Sequence, residues 1–191
     1  MTLDFSKGIT EFRWHGRGGP GVGTSNQMLG KAALAEGNYI QAFPEFGPER
    51  TGAPVRAFLR ISKKPIQLYA QVYAPDVVVC IDPTLLDVVN PAEGLKPEGT
   101  LVVNTVKDPA DIRKKFGFDT GKVVTIDAST IAMEVMGRPF YNMPTMAAAV
   151  KFTGIVEADT VINEVLGRYP GKVGDLNKTA MERAMTEAKV G

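Results

Sequence analysis

The sequence predicts an α/β protein: a three-layer α/β/α sandwich around a mixed, mostly parallel sheet, formed by residues 1–191 as a single domain. Short, nearly unbroken apolar runs alternate with segments of helical periodicity, and such runs are typical of strands that helices bury on both faces. The run at 55–61 differs, because Arg56 and Arg60 alternate with apolar residues, which indicates an antiparallel or edge strand. No internal repeat, low-complexity tract or long linker marks a second domain.

The chain is predicted to begin with a strand, a turn and a helix. An apolar strand at 12–15 runs into a glycine-dense turn at 16–23. From residue 22 the sequence becomes helical through residue 36, where small residues form a stripe at helical spacing, and the Gly-Asn pair after it is a favourable stop. A short extended segment at 39–43 then leads into a second loop, which is rich in glycine and proline.

The remaining strands are apolar runs of the kind buried in a parallel sheet. They lie at 76–81, 100–104 and 122–126. After the first of them, Asp82 and Pro83 open a short helix to residue 89, because proline is favourable at the first helical position behind an acidic cap. A second short helix is predicted between the other two strands, at 108–116.

Beyond residue 127 the sequence becomes helical. Four helices are predicted, at 128–136, 144–152, 157–166 and 175–189. The last has an apolar stripe with charged residues on its other side. It is therefore expected to pack either on the core of this chain or on a partner.

Composition limits the kinds of function. The apolar fraction of 44% and the charged fraction of 23% are ordinary for a folded soluble protein. Lysine and arginine total 22 against 21 acidic residues, and the net charge of +1 gives no global field to hold nucleic acid or an anionic membrane. No apolar run reaches the roughly 18 residues of a membrane span. The first residues lack a basic region followed by an apolar stretch, so a cytoplasmic location is the default expectation.

Cys80 is the one cysteine of the chain, and it lies inside an apolar run. A buried structural thiol fits this position, and a reactive thiol is the alternative. One thiol cannot form an internal disulfide, ligate an iron–sulfur cluster or build a structural zinc site by itself. Any redox centre is therefore expected to belong to a cofactor or to another chain.

The glycine turn is the first candidate functional element. Residues 16–21 satisfy the pattern G-x-G-x-x-G between a predicted strand and a helix, where backbone N–H groups and a helix N-terminus together bind phosphate or carboxylate. Glycine-rich turns also occur for packing reasons. The nearest acidic residue that would hold a ribose is Glu45, in a loop of a different pattern, and Pro20 removes one N–H. No lysine follows as in a P-loop.

Two arginines are candidates to hold an anion. Arg17 in the first loop and Arg50 in the second each carry a guanidinium that can bind phosphate or carboxylate through two hydrogen bonds. For Arg50, an ion pair with Glu49 or with a neighbouring chain is the alternative. The only histidine, His15, fits a structural role. The candidate cofactor-binding residues are Gly16, Arg17, Gly18, Gly19, Gly21, Glu49, Arg50 and Gly52. We assign no catalytic residue and no metal ligand.

Three separated motifs resemble one protein family. They are the glycine turn with its helix, the run FPEFGPERTGAPV at 43–55, and the later segments NMPTM at 142–146 and KFTG at 151–154. Together they are similar to the gamma subunit of 2-oxoacid:ferredoxin oxidoreductases, over residues 12–166. Ala53 and Pro54 resemble the versions that act on pyruvate or a branched-chain 2-oxoacid rather than 2-oxoglutarate. Pro20 departs from the family, which usually has glutamine there.

The resemblance implies a subunit of a large complex. In such a complex, thiamine diphosphate with Mg²⁺ and 4Fe-4S iron–sulfur clusters are held by other subunits, and the partners are named alpha, beta and delta. Pyruvate is decarboxylated, coenzyme A takes the acyl group, and ferredoxin accepts the electrons. The gamma chain carries no cluster, packs against the catalytic subunits and is associated with the coenzyme A side. Its glycine turn and arginines are then expected to meet the phosphates of coenzyme A.

Two alternatives remain open at this stage. A free-standing dinucleotide-binding oxidoreductase is supported by the glycine pattern alone and is opposed by the missing acidic partner. A non-catalytic scaffold, whose loops only dock neighbouring chains, is the other alternative. It differs from the enzyme subunit in whether Gly18, Gly19 and Arg50 touch a ligand or a protein surface.

Overall fold

The computed structural model describes residues 8–19, 21–45, 52–68 and 70–191. Seven strands of these residues form one sheet: β1 (Ile9–Arg17), β2 (Tyr39–Pro44), β3 (Pro54–Ser62), β4 (Val77–Cys80), β5 (Thr100–Asn104), β6 (Lys122–Ile126) and β7 (Lys189–Val190). The order across the sheet is β2-β3-β1-β4-β5-β6-β7. Strands β1, β4, β5 and β6 are parallel, β3 is antiparallel to both β1 and β2, and β7 is antiparallel to β6.

Six α-helices and a 3-10 helix complete the described parts of the chain. They are α1 (Gly21–Ala35), the 3-10 helix Pro83–Asp87, α2 (Pro109–Phe116), α3 (Ala128–Met136), α4 (Asn142–Thr153), α5 (Ala158–Arg168) and α6 (Lys172–Glu187). The predicted start after β4 is confirmed, since Asp82 accepts a hydrogen bond from the N–H of Thr84 at 2.9 Å and Pro83 is the first helical residue. This helix is shorter than predicted and has 3-10 geometry.

Helices cover the two faces of the sheet unequally. On the first face, α1 and α3 to α6 pack over apolar side chains that include Phe12, Trp14 and Val79. On the second face, the 3-10 helix and α2 cover the parallel half, where Val78 and Leu101 are buried. The predicted three-layer α/β class with a mixed sheet is confirmed.

The second face of the antiparallel half carries buried polar groups. Arg60 of β3 is buried there, and its guanidinium donates to Oε1 of Glu11 and Oε1 of Gln41, both at 2.8 Å. It also donates to the carbonyls of Leu68 and Gln71, in an irregular segment. The charge tolerates burial because each of the three guanidinium nitrogens donates a hydrogen bond and Glu11 supplies a counter-charge. Strand β3 is antiparallel, as predicted, but it lies inside the sheet because β2 pairs with its outer side.

The C-terminal helix α6 packs on the core of this chain. Ala180, Met181 and Ala184 are buried in the cluster formed by the first-face helices. The predicted end at residue 189 is wrong, because the helix ends at Glu187 and the chain continues as β7. The open edge of β6 explains the change: backbone N–H and C=O groups of Val123 and Gly191 pair with each other at 2.9 and 3.0 Å.

Candidate functional site

A cleft of about 450 Å³ opens at the carboxyl ends of β1 and β4. The connection after β1 leads toward β2 and β3, while the connection after β4 leads toward β5 on the other side. Ligands of open α/β sheets bind at such a reversal point. The glycine turn, Ile81 and Asp82 line one side of the cleft. The remaining lining is largely apolar or aromatic: Val22, Pro139, Phe140, Tyr141, Met143, Tyr169 and Val173.

Five of the predicted site residues line this cleft: Gly16, Arg17, Gly18, Gly19 and Gly21. A side chain at Gly16 has no room, since its Cβ would lie 2.2 Å from Cγ2 of Val22 in α1. The glycine therefore allows the helix to begin close against the strand.

The N-terminus of α1 faces the cleft without a counter-charge of its own. The first turn of α1 contains no acidic residue. None of the described residues accepts a hydrogen bond from the N–H of Gly19 or Gly21. Orphan N–H groups and the helix dipole favour an anion at this position.

The two loops singled out in the sequence lie side by side. Gly18 donates its N–H to the carbonyl of Ala53 at 2.8 Å, and Gly52 donates to the carbonyl of Gly18 at 3.2 Å. The N–H of Gly18 is therefore engaged, and Gly52 touches the turn without lining the cleft. The predicted roles of Glu49 and Arg50 stay predictions, because both residues, like Pro20, lie outside the described residues.

The guanidinium of Arg17 is held by hydrogen bonds at Nε and Nη1, while Nη2 has no acceptor among the described residues. Its Nε donates to Oγ1 of Thr84 at 2.8 Å, and its Nη1 donates to the carbonyl of Gly52 at 3.0 Å. Among the described residues, none accepts a hydrogen bond from Nη2, and the side chain is 35% exposed. The guanidinium is thus held in place and presents a free donor pair to a ligand.

Asp82 is the carboxylate of the cleft, and the sequence predicted it only as a helix cap. It is buried, and its Oδ1 accepts from Oγ1 of Thr84 at 2.6 Å, while its Oδ2 lies 3.8 Å from Nε of Arg17. Oδ2 also accepts from the hydroxyl of Tyr141 at 3.2 Å. Burial raises the pKa of Tyr141, and the charge of Asp82 and this hydrogen bond raise it further. Tyr141 therefore keeps its proton and is a hydrogen-bond donor to the carboxylate.

Two more helices begin at the cleft. Asn142 starts α4, and its Nδ2 donates to Oγ of Ser25 in α1 at 3.3 Å, which joins the two helix starts. Val173 and Asn177 bring the first turns of α6 to the opposite wall. In the sequence, Asn142 stands out only as part of a family motif. No local pattern singles out Tyr141 or Tyr169, because 59 or more residues separate them from Asp82.

The arrangement needed for a dinucleotide is absent from the described strands. In that fold the strand that follows the glycine-turn helix lies parallel beside the first strand and ends in an acidic residue. Here the strand that follows that helix is β2, and the antiparallel β3 separates it from β1, while the parallel neighbour of β1 is the later strand β4. Glu45 follows the outer strand β2, and its carboxylate forms an ion pair with Arg56. Glu45, the nearest acidic candidate, is therefore not placed to hold a ribose beside the glycine turn, and the hypothesis of a free-standing dinucleotide-binding oxidoreductase still rests on the glycine pattern alone.

His15 and Cys80 lie away from the cleft. His15 is buried, and its Nε2 accepts from Nε of Arg13 at 3.0 Å. Burial, together with Arg13 and Arg56, lowers the pKa of His15 to about 3, so the ring is neutral. Cys80 is buried as predicted, and burial raises the pKa of its thiol to about 12. No helix within the described residues is long and apolar enough to cross a bilayer.

Known proteins match the chain over nearly its whole length. The model of the family described as pyruvate ferredoxin/flavodoxin oxidoreductase matches residues 11–187. The chain belongs to this family. A pyruvate synthase subunit PorC from Methanocaldococcus jannaschii is 48% identical, over 94% of this chain and 97% of the relative. A pyruvate/ketoisovalerate oxidoreductase common subunit gamma from Pyrococcus furiosus is 43% identical, over 95% and 98%.

The fold agrees with that of a solved family member. The crystal structure of the pyruvate oxidoreductase subunit PORC from Thermotoga maritima matches with a TM-score of 0.86 and 45% identity, covering 97% of this chain and 99% of that one. The predicted resemblance is confirmed: the chain is a gamma-type subunit of a 2-oxoacid:ferredoxin oxidoreductase, and hence one subunit of a multi-subunit enzyme.

Proposed function

We propose that this chain is the gamma subunit of an enzyme that converts pyruvate, coenzyme A and oxidised ferredoxin into acetyl-CoA, carbon dioxide and reduced ferredoxin. Relatives named as pyruvate synthase subunits support pyruvate as the substrate. A relative named as common to pyruvate and ketoisovalerate enzymes makes a branched-chain 2-oxoacid the second candidate. The residues Ala53 and Pro54 are consistent with either substrate, pyruvate or a branched-chain 2-oxoacid.

In this proposal the redox chemistry takes place on the alpha, beta and delta subunits. Those subunits hold thiamine diphosphate with Mg²⁺ and the 4Fe-4S clusters, and they deliver electrons to ferredoxin. The single cysteine of this chain, Cys80, is buried. Within the described residues no group of three or more His, Cys, Asp or Glu side chains could hold a metal ion. We therefore assign no covalent or electron-transfer step to this chain.

The cleft beside the glycine turn is the proposed contact with coenzyme A. Its apolar and aromatic walls suit the aliphatic and ring portions of that molecule, and the amides of Asn142 and Asn177 can pair with polar groups along it. The N-terminus of α1 and the open side of Arg17 suit a phosphate. The single observation that carries the proposal is this combination of an apolar slot with an anion-favouring turn.

Arg17 and Asp82 have opposite effects on phosphate in this proposal. The guanidinium attracts the anion, while the buried carboxylate 3.8 Å from Nε offsets part of its charge. The cleft is therefore expected to bind coenzyme A moderately rather than tightly, which suits a co-substrate that must leave as a thioester.

Calorimetric titration of the full chain, and of the complex purified anaerobically, tests the proposal. Coenzyme A is expected to bind, dephospho-coenzyme A and pantetheine to bind progressively more weakly, and NADH not to bind. Equal binding of pantetheine and coenzyme A would contradict a phosphate contact. Stoichiometric iron and thiamine diphosphate in the tagged complex are expected, and a purified chain without partners or cofactors would contradict the subunit assignment.

The docking scaffold remains the second candidate, because an arginine such as Arg50 can pair with a carboxylate of a neighbouring protein as well as with a phosphate. Substitution Arg50→Ala separates the two. A ligand contact predicts a raised Michaelis constant for coenzyme A with the complex intact, whereas a docking contact predicts loss of subunits from the complex.

A further inference from the structure

No strand of the described residues pairs with the outer edge of β2. Glu45 donates its N–H to the carbonyl of Arg56 at 3.0 Å, and the two residues lie directly opposite each other. Bonded pairs alternate along an antiparallel ladder, so the odd-numbered residues of β2 direct their backbone groups to β3. Ile40 and Ala42 direct theirs outward. No described residue pairs with these outward N–H and C=O groups.

Within the part of the chain that the structure describes, strand β2 also lacks the usual protection of an exposed edge. Charged side chains, proline and covering loops keep such edges from pairing. The strand YIQAFP contains no charged residue, and its only proline is the last residue, Pro44. Large apolar side chains are exposed in this region of the chain: Tyr39 in the strand itself is 48% exposed, and Leu34 near the end of α1 is 57% exposed. An edge strand with these properties can form backbone hydrogen bonds with a strand of another chain.

The sequence of β2 is symmetric in character about Gln41. Reading outward in both directions, the residues are apolar at Ile40 and Ala42 and aromatic at Tyr39 and Phe43. In an antiparallel pair centred on Gln41, Ile40 would exchange two hydrogen bonds with Ala42 of the second copy, and the reverse pair would form as well. Tyr39 would then face Phe43 of the second copy, an aromatic cross-strand pair of the kind that stabilises sheets.

We propose that two copies of this chain pair through β2, antiparallel about a two-fold axis at Gln41, and join their sheets into one. The matched pattern favours a second copy over a strand of another protein, because an isologous contact requires each residue to meet its symmetric counterpart. The strand is uncharged, so the approach of two copies brings no like charges together along it. This contact is independent of the proposed coenzyme A site.

A proline substitution tests the backbone contact. Ala42→Pro removes an outward N–H and leaves the ladder with β3 intact, and edge strands tolerate proline with its missing N–H facing solvent. Light scattering after size exclusion, over a dilution series of the full chain, is expected to give a dimer for the wild type and for the control Ala42→Ser. The Ala42→Pro variant is expected to give a folded monomer by circular dichroism and mass.

A cysteine substitution tests the register. Residues opposite each other in a non-bonded antiparallel pair have Cα atoms about 4.5 Å apart, and a disulfide accepts about 4.4–6.8 Å. Gln41→Cys is therefore expected to give a covalent dimer on mild oxidation, while the exposed control Thr186→Cys is not. The native Cys80 is buried, so we do not expect it to form a disulfide with the introduced cysteine.

Three results would overturn the proposal. They are a monomeric wild type at every concentration, a dimer that survives Ala42→Pro, and cross-linking of Gln41→Cys no greater than that of Thr186→Cys. A monomeric chain whose Ala42→Pro variant loses another subunit from the complex would show that a foreign strand occupies the edge, and it would equally reject pairing of two copies.

Discussion

Nε of Arg17 lies 3.8 Å from Oδ2 of Asp82, so the cation at the cleft has a buried carboxylate beside it. Other hydrogen bonds fix both groups: Thr84 is an acceptor for the guanidinium and a donor to the carboxylate. The charge of the cleft is therefore a balance between two side chains, and each can be changed separately.

Removing the cation should weaken binding of coenzyme A. Arg17→Gln removes the free donor pair at Nη2 and the positive charge, and we expect about tenfold weaker binding, or ~1.4 kcal/mol. Titration calorimetry of the full chain measures it. Arg56→Gln is the matched control, since Arg56 pairs with Glu45 outside the cleft lining. Equal losses in both variants would contradict a specific role for Arg17.

Removing the carboxylate charge should have the opposite effect. Asp82→Asn retains an oxygen to cap the 3-10 helix and leaves the charge of Arg17 unopposed. Affinity for coenzyme A is expected to rise about three- to tenfold at low salt, and the gain should shrink as salt is added. Asp87→Asn is the control, because Asp87 is exposed and pairs with Lys115 away from the cleft. Weaker binding by Asp82→Asn would rule out the charge balance.

His15 should make the stability of the protein depend on pH. Its pKa is about 3 in the fold, held down by burial and then by Arg13 and Arg56, against 6.5 in the unfolded chain. The unfolded chain thus binds a proton that the fold does not, so stability falls as the pH decreases below about 6.5. The expected loss between pH 7 and pH 5 is about 2 kcal/mol.

Urea denaturation at several pH values measures this loss in the wild type and in His15→Gln. The amide oxygen of glutamine can accept the hydrogen bond from Nε of Arg13 and does not titrate. In His15→Gln, most of the decrease in the free energy of unfolding between pH 7 and pH 5 should therefore disappear. His15 is the only histidine in the chain, so an unchanged slope in the variant would disprove the assignment.

Gly16 should be sensitive to the addition of one methyl group. In Gly16→Ala the new Cβ would meet Cγ2 of Val22 at 2.2 Å, and the free energy of unfolding is expected to fall by about 1–3 kcal/mol. Val22→Ala in the same chain should restore part of the loss. Gly23→Ala serves as the control, since open space surrounds that position. Thermal denaturation of Gly16→Ala, Val22→Ala, the double variant and Gly23→Ala measures these effects, and additive effects at Gly16 and Val22 would argue against the clash.

The elements of the fold were predictable where a local pattern repeats. Apolar runs gave β4, β5 and β6, and helical periodicity gave α1 and α3 to α6, with ends shifted by a few residues. The two-residue strand β7 has no pattern of its own and exists only because the edge of β6 accepts it. Burial of Arg60 depends on Glu11 and Gln41, which come from two other strands.

The site was predictable only on the side that is local in sequence. The glycine turn follows a strand and precedes a helix, so the residues from Gly16 to Gly21 could be assigned to one loop. Asp82 and Tyr141 meet across 59 positions of the chain, and only the packing of α4 against the sheet brings them together. The sequence therefore contains no local pattern that predicts the pairing of Arg17 with Asp82 in the cleft.

The pairing of β1 with β3 also limits how the length of the chain can change. Nine consecutive residues are matched, from Ile9 with Ser62 to Arg17 with Pro54. Deleting one residue within β1 would exchange the two faces of the strand, placing Arg13 in the hydrophobic core and Trp14 on the polar side. Insertions and deletions in this half of the molecule are therefore expected to survive only outside the paired strands, where they leave the start of the glycine turn in place.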